Sequence, residues 1–287
     1  MSEKDLAVRA MTNDGSFRVI AIRTTDTVRE ALQKQETLYP HDAEVFTELL
    51  TGAVLVRQTM APQHRVQIIL KEDKASSHQM VADSFPEGLT RGVVQGIDVD
   101  NRFSHGSHNL LQVMRVLFNN ELQQGIVHTP EMGGVSQALT DYMLQSEQVA
   151  SAIDVATFLD ANNNVVSAGG FIVQMLPEAN QDTINAMLQR LEKRQPLFTV
   201  ISQEGMSPKE ILADLMGDLE YTLLGDEPVF YGCTCSEIKL VSAMATLGHD
   251  EIQRIISDGE VMDVKCDYCK TNYAIGPEQL KPLLETH

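Results

Sequence analysis

The sequence has no tryptophan, only four cysteines and an aromatic share of 5%. Basic residues are scarce as well: 22 lysines and arginines stand against 40 aspartates and glutamates, a formal net charge of −18. Each shortage excludes something. A chain this acidic repels polyanions on average, and no local basic patch interrupts it, so nucleic acid and anionic membrane surfaces are not expected as partners. No charge-free apolar run reaches about 18 residues, so no transmembrane helix is expected. The first residues, Met1-Ser2-Glu3-Lys4-Asp5-Leu6, include acidic groups and lack the apolar stretch of a secretory signal. The expected location is therefore the cytoplasm. Four cysteines are also too few for a disulfide-stapled mini-domain. No Gly-x-x-x-x-Gly-Lys-Ser/Thr loop is present to cradle nucleotide phosphates. No Ser/His/Asp or Cys/His nucleophile set stands out, and the chain is not expected to be an enzyme.

What is present is enough for a packed core. Of the 287 residues 43% are hydrophobic, which excludes disorder as the overall state and fits one large domain or two ordinary ones. Residues 1–177 read as an α+β domain. Phe17 to Arg23 is strand-like, and Thr27 with Glu30 forms a capping-box pattern for a first helix. Asp42 opens a second helix through Val45, Phe46, Leu49, Leu50 and Val54. Strand-like runs follow at 66–70, 92–99, 110–118 and 124–128, without helices between them, which predicts a largely antiparallel sheet. Residues 139–153 read as helix. Ala156 to Leu159 and Val165 to Met175 read as a hairpin across an Asp160-Ala161-Asn162-Asn163-Asn164 turn.

Residues 178–231 read as a helical linker region of amphipathic helix and connector, whose pattern alone suits helices packed on the main sheet. Ile184, Met187, Leu188 and Leu191 have helical spacing, and Ser207-Pro208-Lys209-Glu210 is a helix start with Ser as N-cap and Glu at the third position. Ile211, Leu212, Leu215 and Met216 continue it as an apolar stripe. A stretch rich in helix breakers, Gln195 to Gly205, separates the two helices.

Residues 232–287 hold all four cysteines: Cys233, Cys235, Cys266 and Cys269. A domain this short buries little core and commonly needs a staple. Cys-x-Cys followed, after a helical insert, by Cys-x-x-Cys can converge into a Cys₄ tetrahedron, a set that suits one Zn²⁺ per chain. Ser236 and Asp250 read as N-caps of two short helices that return the chain so that the pairs meet. Lys239, Lys265 and Lys270 lie close in sequence to the thiolates, whose excess negative charge they would offset. From the residues alone two readings stay open. One is a structural zinc staple. The other is a redox switch, since zinc holds the thiols as oxidisable thiolates and each close pair can form its own disulfide with little chain movement. Oxidation would then remove the ligands and unfold the small domain.

Other candidates carry less. His105-x-x-His108 has no acidic partner in a metal-binding pattern and reads as a polar loop. Asp98-x-Asp100 reads as a turn or strand end. Gly169-Gly170 lacks the third glycine of a dinucleotide fingerprint and marks a bulge or close backbone approach in a strand.

Beyond the cysteines, Tyr142 with Ser146-Glu147-Gln148, Gly169-Gly170 with Leu176-Pro177, Arg91-Gly92, Phe230-Tyr231-Gly232 and Leu247-Gly248 complete a recognisable set. With them the sequence resembles the bacterial 33-kilodalton heat shock protein family, redox-regulated holdase chaperones, over nearly its whole length. The middle of the N-terminal domain departs from the family's glycine-rich strands, reading Lys71-Glu72-Asp73-Lys74 and Ser104-His105-Gly106-Ser107-His108. The resemblance implies a protein that is folded and a poor chaperone when reduced and zinc-bound. It implies that oxidation forms Cys233–Cys235 and Cys266–Cys269 disulfides with release of zinc, that the cysteine domain unfolds and that the linker destabilises. Residues 1–177 would then bind unfolding client proteins without ATP, and the oxidised form would dimerise. Met187, Met206 and Met216 in the linker suit promiscuous apolar contacts. The remaining alternatives use the same cysteines differently: a thiol-disulfide oxidoreductase, or a constitutive zinc-stapled interaction module.

Overall fold

The computed structural model describes residues 4–72, 77–104, 106, 108–117, 119, 121–197, 199 and 207–284. His105 of the His-x-x-His candidate, Asp73, Lys74, Ser107, Gly205 and Met206 lie outside the described residues. The chain forms two compact units, Met1–Tyr231 and Gly232–His287.

In the first unit, alternating and near-continuous apolar runs build two sheets. Strands β1 (Leu6–Thr12), β2 (Phe17–Arg23), β8 (Ser151–Leu159), β9 (Val165–Met175) and β10 (Tyr221–Pro228) form a five-stranded antiparallel sheet in the order β10-β1-β2-β9-β8. Strands β3 (Arg65–Lys71), β4 (Gln79–Ser84), β5 (Leu89–Gln95), β6 (Leu110–Val116), β7 (Leu122–His128) and β11 (Phe230–Tyr231) form a second sheet in the order β11-β5-β4-β3-β6-β7. Its pairs are antiparallel except β11 with β5.

Helices α1 (Thr25–Gln33), α2 (Pro40–Gln58) and α3 (Gly134–Gln145) share the core with both sheets. Helix α2 is central: 15 of its 19 residues are buried, and His41, Glu44 and Glu48 are the polar side chains it leaves partly open to water. Phe46, Leu49 and Leu50 of α2 share one cluster with Ile20, Ile22 and Ile172 of the first sheet and Val66, Ile68 and Leu111 of the second. Its buried hydroxyls are satisfied within the helix, Thr47 donating to the Ala43 carbonyl at 2.9 Å and Thr51 to the Thr47 carbonyl at 3.0 Å.

The other face of the five-stranded sheet has its own cover. Val8, Ala10, Phe17, Val19, Phe171 and Val173 pack with Met187 of α4 (Gln181–Lys193), with Ile211, Leu212, Leu215 and Met216 of α5 (Pro208–Met216) and with Leu197 of the connector. Strand β9 is consequently buried along both faces over most of its length. Residues 178–231 thus contribute α4, α5 and also the edge strand β10 to this unit.

The second unit is small. Helices α6 (Glu237–Met244), α7 (His249–Asp258) and α8 (Pro277–Leu284) surround the hairpin β12 (Met262–Lys265)–β13 (Asn272–Ile275). Among its described residues the buried apolar cluster is Ile252, Ile255, Ile275 and Leu280.

Several sequence expectations are corrected. The helix expected over 139–153 ends at Gln145, because Gln148 takes a left-handed φ of 57° and the chain enters β8 at Ser151. Ser146-Glu147-Gln148 is therefore the turn after α3; Glu147 there accepts from the Tyr142 hydroxyl and pairs with Arg115. Thr27 does not cap α1, which starts at Thr25; its N–H and hydroxyl both donate to Asp5 at 2.7 Å. Asp42 lies in the first turn of α2, after Pro40 has set the start. Asp250 lies inside α7, whose N-cap is Gly248. The strand expected over 92–99 spans Leu89–Gln95, since Asp98 instead accepts the N–H groups of Asp100 and Asn101 in a turn. Gly169 and Gly170 mark a close backbone approach: a Cβ on Gly169 would meet the Ile22 carbonyl at 2.7 Å, and one on Gly170 the Asp154 carbonyl at 2.9 Å.

Glu48 of α2 yields a prediction. Burial, reinforced by Glu44 and Asp154, pushes its carboxyl up to about 8. A carboxyl raised in the fold is protonated there while the unfolded chain has already lost its proton. The contribution of Glu48 to stability is therefore fully present below the ordinary carboxylate range and is lost as pH rises from about 4.5 to 8. One pKa unit is about 1.4 kcal/mol, and Glu48 keeps some exposure. Between pH 5 and pH 9 the stability of Glu48→Gln should rise relative to wild type by on the order of 2 kcal/mol. Urea unfolding at the two pH values measures the change.

Candidate metal centre

The four cysteines reach one point from two local structures. Cys233 and Cys235 lie in the extended segment that leads into α6, where Ser236 caps the helix by accepting the Lys239 N–H. Cys266 and Cys269 lie at the tip of the β12–β13 hairpin. That tip is a tight knuckle: Lys270 N–H donates to the Cys266 carbonyl at 2.8 Å, and Cys266 N–H to the Thr271 carbonyl at 2.9 Å. Lys270 adopts a φ of 61° to close it. In this turn the N–H groups of Tyr268 and Cys269 are directed at the Cys266 sulfur.

One Sγ from each cysteine lies within 4.8 Å of all the others, and Cys266 is buried. Cys233 Sγ is 3.9 Å from Cys266 Sγ, and Cys235 Sγ is 3.4 Å from Cys269 Sγ. These separations far exceed a disulfide bond of about 2.05 Å. They bracket the edge of roughly 3.8 Å that a tetrahedron with metal–sulfur bonds near 2.3 Å requires. The donor set and its spacing fit a tetrahedral thiolate-bound ion.

The thiols are electrostatically unequal. Burial pushes the Cys235 thiol up, to about 12, against the opposing hydrogen bond from Tyr273, whose hydroxyl is 3.1 Å away. Burial also raises Cys266. At Cys269 burial acts upward too, but hydrogen bonds from the Thr271 hydroxyl and N–H and from the neighbouring thiols outweigh it and bring the thiol down to about 6. The Cys269 Sγ to Thr271 Oγ1 distance is 3.2 Å. Tyr273 is itself pushed up to about 12 by its bond to Cys235. Lys239 comes to the site, donating to the Thr234 carbonyl inside Cys-x-Cys at 2.7 Å. Thr271 and Tyr273 were not singled out in the sequence, although both follow Cys269 within four positions.

The fold and the site define a class: an α+β domain with a helical linker region and a C-terminal four-cysteine cluster able to coordinate a metal. The family described as Hsp33 protein matches residues 5–276, and the chain belongs to that family. It is 28% identical over 292 residues to the 33 kDa chaperonin of Shouchella clausii, covering 98% of each chain. It is 29% identical over 289 residues to that of Bacillus licheniformis, covering 97% of this chain and 98% of the relative. The crystal structure of the 33 kDa chaperonin from Thermotoga maritima has the same fold, with a TM-score of 0.83, 23% identity and 99% coverage of both chains. As a family member the chain is a redox-regulated, ATP-independent holdase chaperone and not an enzyme. Among the described residues no helix is long and apolar enough to cross a membrane.

Cys266→Ser tests the centre. The buried position should tolerate the smaller hydroxyl poorly as a ligand. Metal affinity should fall by about 10-fold or more, and amides of 237–284 should lose exchange protection while the two large sheets keep theirs.

Proposed function

We propose that the chain senses oxidants through a zinc centre made of Cys233, Cys235, Cys266 and Cys269 and responds by uncovering an apolar surface for unfolding client proteins. Residues 232–287 are the switch, 178–231 the linker and 1–177 the client-binding domain. Zinc, one ion per chain, would hold the four sulfurs as thiolates. Each close pair, Cys233–Cys235 and Cys266–Cys269, then gives up two electrons to an oxidant such as a peroxide and closes a disulfide. The metal loses its ligands in the same change. Four buried apolar residues are too small a core to hold residues 232–287 without the ion.

The observation that carries the client-binding step is the layer under α4 and α5. Met187, Leu197, Ile211, Leu212, Leu215 and Met216 cover one face of the five-stranded sheet. Lifting these helices exposes two facing apolar surfaces at once, and the methionines among them adapt to varied partners. A net charge of −18 keeps such an opened molecule soluble. The reducing cytoplasm is the compartment in which four reduced thiols are the resting state and oxidation is the signal. The oxidised form, with its apolar faces open, pairs with a second copy.

Light scattering of a heat- or dilution-denatured client is the test. The oxidised, zinc-free protein should suppress aggregation at near-stoichiometric ratios, and the reduced, zinc-loaded protein should not. Equal activity of the two forms would make the ion a staple and remove the switch.

A further inference from the structure

The apolar layer between α4, α5 and the sheet has one charged side chain set into it. Arg194 immediately follows α4, and its side chain is only 10% exposed. The guanidinium lies over the ring of Phe171, 4.5 Å from its centroid. Nη1 is 3.5 Å from Asp154 Oδ2, and Nε is 3.6 Å from Asp214 Oδ2. The same Asp154 oxygen accepts the backbone N–H of Leu197 at 3.3 Å. Asp154 belongs to β8, Phe171 to β9 and Asp214 to α5, so from the end of α4 a single cation reaches the second helix and two strands, while its partner Asp154 also holds Leu197 of the connector.

We infer that Arg194 is the positioning residue that keeps the α4–α5 layer seated on the sheet in the reduced protein. The apolar contacts in this layer are non-directional and would tolerate sliding. The planar guanidinium, stacked on a ring and facing two carboxylates, fixes one arrangement. Such a group gives orientation with little net stability, because its desolvation offsets most of its attraction. When the layer lifts, Arg194, Asp154 and Asp214 all return to water, so the contact resists sliding but does not prevent release. Removing the cation alone leaves Asp154, whose side chain is 34% exposed, without its counter-charge and biases the layer toward release while the thiols are still reduced.

This inference rests on the holdase reading, and its test separates the two. Full-length wild type, Arg194→Met, Arg194→Lys and Asp214→Asn are compared in the reduced, zinc-loaded state by hydrogen exchange and by client light scattering, beside oxidised wild type. Met keeps an apolar stem of similar length, and Lys restores the charge without the stacking plane. Amides of α4 and α5 in Arg194→Met should exchange about tenfold or more faster than in wild type. Those of β2, β9 and residues 237–284 should be unchanged, and the reduced variant should suppress aggregation. Arg194→Lys should recover part of the protection, which a purely packing role for the side chain would not produce. Asp214→Asn, at a half-exposed position that opens no cavity, should shift α5 in the same direction and serves if Arg194→Met fails to fold. Wild-type protection in both Arg194→Met and Asp214→Asn, with oxidised wild type active, overturns the role of Arg194 and leaves the holdase reading intact. If oxidised wild type is itself inactive, the holdase reading fails, and the exchange rates alone then decide whether Arg194 seats the layer.

Discussion

One face of the five-stranded sheet is apolar and has to be covered. Phe17, Val19, Phe171 and Val173 point into it, and the cover comes from residues 178–231 and not from the helices that fill the core on the opposite face. This divides the first unit into two layers with different roles. The core around α2 includes large side chains with no exposure, such as Phe46, Leu49 and Leu50. The cover includes the short helices α4 and α5, seated by apolar contacts and by Arg194. An element of this kind lies at the low-stability end of a fold, where regulated opening takes place.

The second unit is constrained differently. Among its described residues four apolar side chains are buried in one cluster, with others partly buried against them, and the proposed metal centre would supply the staple that so small a domain commonly needs. The knuckle at Cys266–Cys269 is preorganised by backbone hydrogen bonds and by the left-handed Lys270. The first pair depends on the extended segment before α6 and on the Ser236 cap. Thiols that hold a metal have a chemical weakness that isoleucines lack, because oxidation removes them as ligands. In the proposed switch, the staple that helps the domain fold would also be what an oxidant removes.

Much of this was legible in the sequence. The convergence of the four cysteines was, because two close pairs are a local signal that spacing carries. The Ser207 and Ser236 caps were, since a cap depends on the next three residues, and both structures show the expected bond. The β8–β9 hairpin was as well, through alternating apolar residues around an Asn-rich turn. What failed depended on distant partners. Thr27 was taken by Asp5 across 22 positions, and the end of α3 was set by the backbone at Gln148. Strand β10 is almost wholly exposed, so no apolar alternation announced it; it exists because β1 offers an edge. Arg194 and Asp154 are 40 positions apart in sequence, and nothing local joins them.

The central claim is that oxidation of the four thiols is transmitted to the cover of the sheet. Hydrogen exchange on full-length wild type, reduced and zinc-loaded against oxidised and zinc-free, tests it most directly. The account predicts loss of protection in residues 237–284 together with α4 and α5, while β2, β9 and α2 stay protected. Loss confined to residues 237–284, with α4 and α5 as protected as before, would contradict it.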